Sequence, residues 1–520
     1  MWPPWRRASA GPSIHGVRAP LFGLPTETPC ISDFFLFLTG KDMTSSDPLN
    51  AVFEHIEANR TPFLDRLIDY VRHPSISAEN VGIAEVGALL VEMLTGIGLE
   101  TGLVSTEGHP MVVARWEKAP GKPTVLLYGH YDVQPADPID KWLSPPFEPT
   151  IRDGRLYARG VGDNKGQHFA QILAIESHLK VHGALPCNVI LLLEGEEEIG
   201  SPHIADFVHA NIGMLEADLA VTADGPRHAS GAPVIKFGSR GEVSFELRCR
   251  HANGDLHSGN FGGVVPNPIW TLVHLLGTMK NADGEITIDG FDDEIEPPSK
   301  EELAAVERLP LDVEAVKRSL DLVRLDAPAE RPFYDRLCFR PTLTINGFHG
   351  GYGGLGSKSV LPNEAFVKCD IRLVAAQDPA DILRKVAAHV EKHAPEVEFI
   401  AQGSIDPSKT PITSPFTAPL RRAFVAAQGE DPLLVPAGFG SLPNYVFTKI
   451  LGIPAFDTPY ANHDEANHAP NENLTLSCFY SGIRTGAALL YELGRLQLLA
   501  RKAGGVQSAP NSDGQLVRVE

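Results

Sequence analysis

The sequence predicts an α/β fold in which a mostly parallel sheet covered by helices is interrupted by an inserted α+β domain with an antiparallel sheet. Three observations carry this expectation. Short, wholly apolar runs such as VILLL alternate with helical segments in the first part of the chain, as strands buried on both faces do. The middle of the chain alternates apolar and polar residues instead, the pattern of strands with one wet face. Helical and strand patterns then resume from Pro415 to Leu499, so the middle segment reads as an insertion.

Each element has its own warrant. A helix from about Pro48 to Arg72 carries a stripe of Val52, Ile56, Phe63, Leu67, Ile68 and Val71 at roughly helical period. Thr124–Tyr128 reads as a buried strand, Asn164–Lys180 as an amphipathic helix, and Val189–Leu193 and Leu219–Thr222 as further buried strands. From Pro233 the segment VIKFGSRGEVSFELRCR alternates, as does Ala365–Val374, which a helix and VEFIAQG follow. The expected boundaries are 47–232 and 406–500 for the two parts of the main domain and 233–405 for the insertion. Residues 1–46 read as a disordered or non-native extension, with Met43 as the start of the folded protein. Arg6, Arg7 and Arg18 precede the first acid, Glu27, but Pro3, Pro4, Pro12, Pro20 and Pro25 break the helix a transit peptide needs. Residues 501–520, rich in Gly, Ser and Asn, read as a flexible tail.

Composition narrows the function classes. With 45 Lys and Arg against 65 Asp and Glu, the net charge of −20 argues against nucleic acid and anionic membrane surfaces as partners. No apolar run reaches the length of about 18 residues that a membrane span requires. The six cysteines are scattered without paired spacing, which points to a reducing, cytoplasmic setting and away from a thiolate metal site.

Polar residues gather directly after the apolar strands, where α/β sheets collect their chemistry. YGHYDVQP offers His130 and Asp132, RGVGDNKG places Asp163 before a helix, LLLEGEEEIG supplies Glu196, Glu197 and Glu198, and VTADGP supplies Asp224. The run NHDEANHAPNE adds His463 and His468. Side by side, these carboxylates require cations to neutralise them, and imidazole with carboxylate suits zinc, cobalt or manganese.

With these motifs in this order, the chain from about 50 to 495 resembles the di-zinc metallopeptidases that include carnosinase-type dipeptidases, glutamate carboxypeptidases, aminoacylases and succinyl-diaminopimelate desuccinylases. The resemblance implies a catalytic domain interrupted by a dimerisation (lid) domain. It implies His130 as a metal ligand with Asp132 as its partner, Asp163 as the bridging carboxylate, and Asp224 and His468 as further ligands. Anchoring GEEEIG on Gly200 makes Glu197 the general base and Glu198 a ligand. One metal then takes His130, Asp163 and Asp224, and the other Asp163, Glu198 and His468. Three negative ligands plus Glu197 balance two divalent ions, most readily zinc, with cobalt or manganese as alternatives.

The implied reaction is hydrolysis of the amide bond of dipeptides or short peptides with a free carboxylate, by a water that the metals activate and Glu197 deprotonates. Deacylation of N-acyl amino acids, of the acetylornithine or succinyl-diaminopimelate type, is the alternative. The resemblance also implies a homodimer through the inserted domain, in which His257 of GDLHSGN reaches the neighbouring site. Arg340 of RPTLTINGF and Ser441 are candidates for the substrate. GGYGGLGSKS lacks the lysine directly after its last glycine that a phosphate loop needs, because Ser357 intervenes. Where carnosinase-like members usually carry Arg-Glu-Gly-Gly-Ser-Ile-Pro, this chain has Ala437 to Pro443, AGFGSLP, losing the charged pair and gaining Phe439.

Overall fold

Apolar side chains on both faces of the early strands drive them into one buried sheet. The structure, a computed structural model, describes residues 47–325 and 333–497, with the backbone alone of 508–510 and 516–518. The extension expected at 1–46 lies outside the described residues. In the tail, Ser508–Pro510 and Leu516–Arg518 pair as an antiparallel ribbon.

The strands that matter here are β1 (Glu100–Val104), β2 (Met111–Trp116), β3 (Thr124–His130), β4 (Asn188–Glu194), β5 (Leu219–Thr222) and β6 (Val234–Lys236). They continue with β7 (Gly241–Arg250), β8 (Thr342–Gly350), β9 (Glu364–Leu373), β10 (Val397–Ile405), β11 (Leu433–Val435) and β12 (Ala455–Asp457). The helices named below are α1 (Pro48–Ala58), α2 (Arg60–Val71), α3 (Ile83–Gly96), α4 (Lys165–His182), α5 (Ile204–Ala210) and α6 (Pro268–Met279). The rest are α7 (Lys300–Val306), α8 (Phe333–Phe339), α9 (Pro379–His393), α10 (Thr417–Gln428) and α11 (Leu476–Gly494).

The large sheet has eight strands in the order β1-β2-β4-β3-β5-β12-β6-β11. Its centre, β4-β3-β5-β12, is parallel, whereas β1-β2, β2-β4 and β12-β6 are antiparallel. The sheet is therefore mixed, and the expected parallel character holds where the strand ends carry the candidate residues. Alternation along each strand serves two layers. Leu127, Leu191 and Val221 pack under α1, α4, α10 and α11, while Leu126, Ile190, Leu192 and Ala220 pack under α5 and the Val446–Phe447 segment. VILLL needs no polar face because both faces are covered: Val189 to Leu193 are all fully buried.

A second, four-stranded antiparallel sheet has the order β8-β9-β7-β10. Val243, Phe245 and Leu247 of β7 and Val367, Cys369 and Ile371 of β9 face α6 and α9, forming a core of their own. The chain crosses into this sheet later than the expected boundary at 233. Val234 and Ile235 are buried in the large sheet, where β6 runs parallel to β11, and the crossing comes at Gly238–Gly241. The two crossings touch, since Gly238–Ser239 pair antiparallel with Ser408–Lys409. The helices α7 and α8, although inside the insertion by sequence, do not join its core. Val306, Tyr334 and Cys338 pack against Val234 and Val435 at the edge of the large sheet. Their apolar faces match an edge that would otherwise lie open to water.

Candidate functional site

The parallel centre of the large sheet brings four strand ends to one edge. His130 closes β3, Glu197 and Glu198 follow β4, Asp224 follows β5, and His468 lies in the loop beyond β12. Asp163 joins them from the turn into α4.

Asp163 is the hub. Its Oδ1 lies 3.1 Å from His130 Nε2 and its Oδ2 3.0 Å from His468 Nε2, so each oxygen faces a different imidazole. His130 Nε2 is also 3.4 Å from Asp224 Oδ2 and 3.9 Å from Glu197 Oε2. His468 Nε2 is 3.1 Å from Glu198 Oε2. The φ of 56° at His468 is a left-handed conformation uncommon outside glycine, of the kind found at functional sites.

The surrounding groups hold these donors in place. His130 Nδ1 lies 3.4 Å from Asp132 Oδ1 and 3.1 Å from the Asp132 carbonyl. The same Asp132 carboxylate accepts the backbone N–H groups of Glu197 and Glu198 at 3.2 and 3.0 Å, so one side chain ties the histidine to the glutamates. Gln134 donates its backbone N–H and its side-chain amide to the Glu198 carboxylate at 3.2 and 3.0 Å. Asn164 accepts the His130 backbone N–H at 3.3 Å and donates to the Ala223 carbonyl at 2.6 Å, linking the ends of β3 and β5. Asp457 accepts the Asp224 backbone N–H at 3.0 Å and pairs with Lys236 at 2.7 Å.

Glu472, fully buried, organises the Asp163 loop. Its two oxygens accept from Arg159 at 2.7 Å and from the backbone N–H groups of Gly160, Gly162 and Asp163 at 2.9–3.0 Å. Gln134, Asp457 and Glu472 received no role from the sequence, although HAPNE and DVQP contain two of them. The signal for Gln134 and Glu472 was their position inside motifs already singled out, and for Asp457 its place directly after the apolar run ending at Phe456.

The electrostatics ask for positive charge. Hydrogen bonds to Asp163 and Glu198 push His468 up to about 11. Burial alone would lower His130, but hydrogen bonds to Asp132, Asp163 and Asp224 overcome it and hold the ring well above its ordinary value. Burial pushes Glu198 up to about 7, with repulsion from Asp163 adding to it. Burial also raises Glu197 well above the carboxylate range, opposed by His130 and reinforced by Asp224 and Glu198. Nearby Glu465 is buried with neither carboxylate oxygen hydrogen-bonded, and burial followed by repulsion from Asp163 raises it as well. Histidine protons supply the charge that these carboxylates demand, and divalent cations meet the same demand with the same donors. Donor atoms of His130, Asp163 and Glu198 lie within 4.8 Å of one another, so the residues present fit a metal centre.

The three consecutive glutamates separate clearly. Glu196 is turned away, its Oε2 2.7 Å from His203 Nδ1, whereas Glu197 and Glu198 face the cluster. His463 is exposed. His257 is exposed on the insertion, where its Nδ1 accepts the Gly259 N–H at 3.1 Å, and it is not gathered around His130. Arg340 is also exposed, and its carbonyl accepts from Arg240. Ser441 instead accepts from Arg372 at 2.8 Å, and Arg372 pairs with Glu242 at 2.6 Å. The alternation of AFVKCDIRLV hid this arginine among strand residues.

Residues 126–492 match peptidase family M20/M25/M40. The chain belongs to that family. It is a metal-dependent peptide hydrolase. Among curated relatives, the Beta-Ala-His dipeptidase of Rattus norvegicus is 28% identical over 480 residues, covering 87% of this chain and 96% of the relative. The Cys-Gly metallodipeptidase dug1 of Schizosaccharomyces pombe is 29% identical over 469 residues, covering 86% and 98%. Among solved structures, the M20 family metallo-carboxypeptidase Sso-CP2 from Sulfolobus solfataricus superposes with a TM-score of 0.79 at 34% identity, covering 84% of this chain and 99% of that one. Human carnosine dipeptidase 1 gives 0.74 at 27% identity, covering 86% and 99%. The two-domain M20 architecture of those structures matches the large mixed sheet and separate antiparallel sheet described above.

Proposed function

We propose that this M20 peptidase hydrolyses dipeptides or short peptides with a free carboxylate, with His130, Asp163, Asp224, Glu198 and His468 holding two divalent cations. The observation that carries the reading is Asp163, whose two oxygens face two different histidines as a carboxylate shared by two ions would. The imidazole and carboxylate donors suit zinc, with cobalt or manganese as alternatives. Bound there, the cations supply Lewis acidity and bring the pKa of a water towards about 7. Asp132 orients His130 through Nδ1 and sets its tautomer. Glu197 accepts the proton of the attacking water and delivers it to the leaving amine. Burial raises its carboxyl, which favours delivery of the proton, and cations bound beside it would favour the ionised form that accepts it. Arg372 with Ser441 provides a guanidinium and a hydroxyl for the free carboxylate, a role the sequence reading had given to Arg340.

Two further readings accompany the chemistry. The chain acts as a homodimer through the inserted domain, with His257 completing the partner's site. Supporting this, Trp270 and Val273 of α6 and Ile345 and Phe348 of the edge strand β8 expose apolar surface. Sedimentation velocity is expected to show twice the 56.2 kDa chain mass, and Trp270→Glu with Ile345→Glu to give monomers with depressed turnover. A monomeric wild type would overturn it. A cytoplasmic setting is supported by the five described cysteines, all free and buried. Among the described residues no helix is long and apolar enough to cross a membrane.

The test of the reaction is a panel of dipeptides against N-acetyl and N-succinyl amino acids. Chelation is expected to abolish dipeptide hydrolysis, and zinc, cobalt or manganese to restore it. Hydrolysis confined to the acyl compounds would assign the protein to the deacylases instead.

A further inference from the structure

We propose that Phe439 and Tyr334 form an aromatic wall that selects substrates whose carboxyl-terminal residue bears a large apolar side chain. This rests on the peptide-hydrolase reading above. The Phe439 ring stacks on that of Tyr334, centroids 5.9 Å apart and planes 20° from parallel. Tyr334 is 8% exposed and Phe439 41%, so the stack is fixed on one side and offers a free aromatic face on the other.

The support under Phe439 is rigid. The Tyr334 hydroxyl donates to the Pro310 carbonyl at 3.0 Å and lies 2.8 Å from His228 Nε2. Phe333 meets the Tyr334 ring edge-on at 5.2 Å. Tyr334 also packs into the cluster of Val234, Val306 and Val435 at the edge of the large sheet. The wall is thereby tied to the catalytic sheet and not to the antiparallel one.

Its place in the site follows from two contacts. A methyl group at Gly438 would lie 3.3 Å from the Lys236 side chain, and Lys236 donates to the Asp224 carbonyl at 3.2 Å. One side chain therefore separates the Phe439 loop from a residue of the metal cluster. In the other direction, Ser441 stands two residues away and accepts from Arg372. A substrate whose carboxylate lies on Arg372 and whose amide reaches the cluster would then run beside the loop that carries Phe439. The segment from Ala437 to Leu442 carries no charge, and an apolar side chain beside Phe439 sheds water against a preformed ring.

Ala-Gly, Ala-Ala, Ala-Leu and Ala-Phe with the metal-reconstituted full chain decide the matter. We expect kcat/KM for Ala-Phe and Ala-Leu to exceed that for Ala-Gly by about tenfold or more. Phe439→Ala is expected to bring the ratio close to one, chiefly through KM, and Phe439→Leu to restore part of it. An unchanged ratio in Phe439→Ala, or no preference in the wild type, overturns the wall while leaving the dipeptidase reading intact. If only acyl compounds are turned over, the dipeptidase reading fails, and N-acetylglycine against N-acetylphenylalanine makes the same comparison. If neither class is turned over, calorimetric binding of Ala-Phe against Ala-Gly to the metal-loaded wild type and Phe439→Ala makes it, and equal affinities overturn the wall.

Discussion

Glu197→Gln is expected to retain metal and lose about 10²–10⁴-fold in turnover. The substitution preserves volume and leaves the backbone N–H bonds to Asp132 in place, so the cluster keeps its geometry. What disappears is a carboxylate 3.9 Å from His130 Nε2 that can take a proton from water and pass it on. Steady-state kinetics beside metal content by elemental analysis separates this outcome from simple loss of the ions. Glu196→Gln is the control, because Glu196 is engaged with His203 and turned from the cluster. Near-normal turnover in Glu197→Gln, with a collapse in Glu196→Gln, would move the base by one residue.

Glu472→Gln is expected to destabilise the fold by about 3–5 kcal/mol, the range for breaking a buried ion pair. Glu472 and Arg159 are 0% and 1% exposed, and the carboxylate accepts from Arg159 and three backbone N–H groups. A glutamine offers one oxygen and one NH₂ where two oxygens are needed, so a donor is forced against donors and the Arg159 charge is left buried without its partner. The loop that Glu472 holds carries Asp163, so metal affinity is expected to fall about 10–100-fold as well. Denaturant midpoints and a competitive metal titration read the two effects. Wild-type stability in the variant would show that the Asp163 loop is held by other contacts.

How much of this was legible beforehand depended on the range of the interaction. Val189 to Leu193 announce a strand buried on both faces because every residue in the run is apolar, whatever lies beside it. The switch to one-sided alternation at VSFELRCR likewise appears in the antiparallel sheet, with Val243, Phe245 and Leu247 inward. The boundary at 233 was misplaced because Val234 and Ile235 read equally well as part of the following strand. Only their parallel pairing with Leu433 and Leu434 shows where they belong. The helices around Val306 and Tyr334 fall inside the 233–405 range expected for the insertion, yet the open edge of the large sheet claims their apolar faces.

The site divides along the same line. His130, Asp163, Glu197, Glu198, Asp224 and His468 stand out in the sequence because each is a polar group directly after an apolar strand or inside a compact motif, and such signals are local. Arg372, which no motif marks, reaches Ser441, since a strand register decides which arginine meets that loop.

By itself, the sequence determined the α/β class with its insertion, the family by its motifs, and the polar residues after the apolar strands that the structure gathers around Asp163. Periodicity, charge and motif spacing act over a few residues and survive without the fold. The tertiary structure alone decided that Glu472 anchors the Asp163 loop across 313 residues of chain, that Arg372 reaches Ser441, and that Phe439 rests on Tyr334. Those contacts join segments whose encounter is set by sheet order and the packing of layers, and no local pattern records that order.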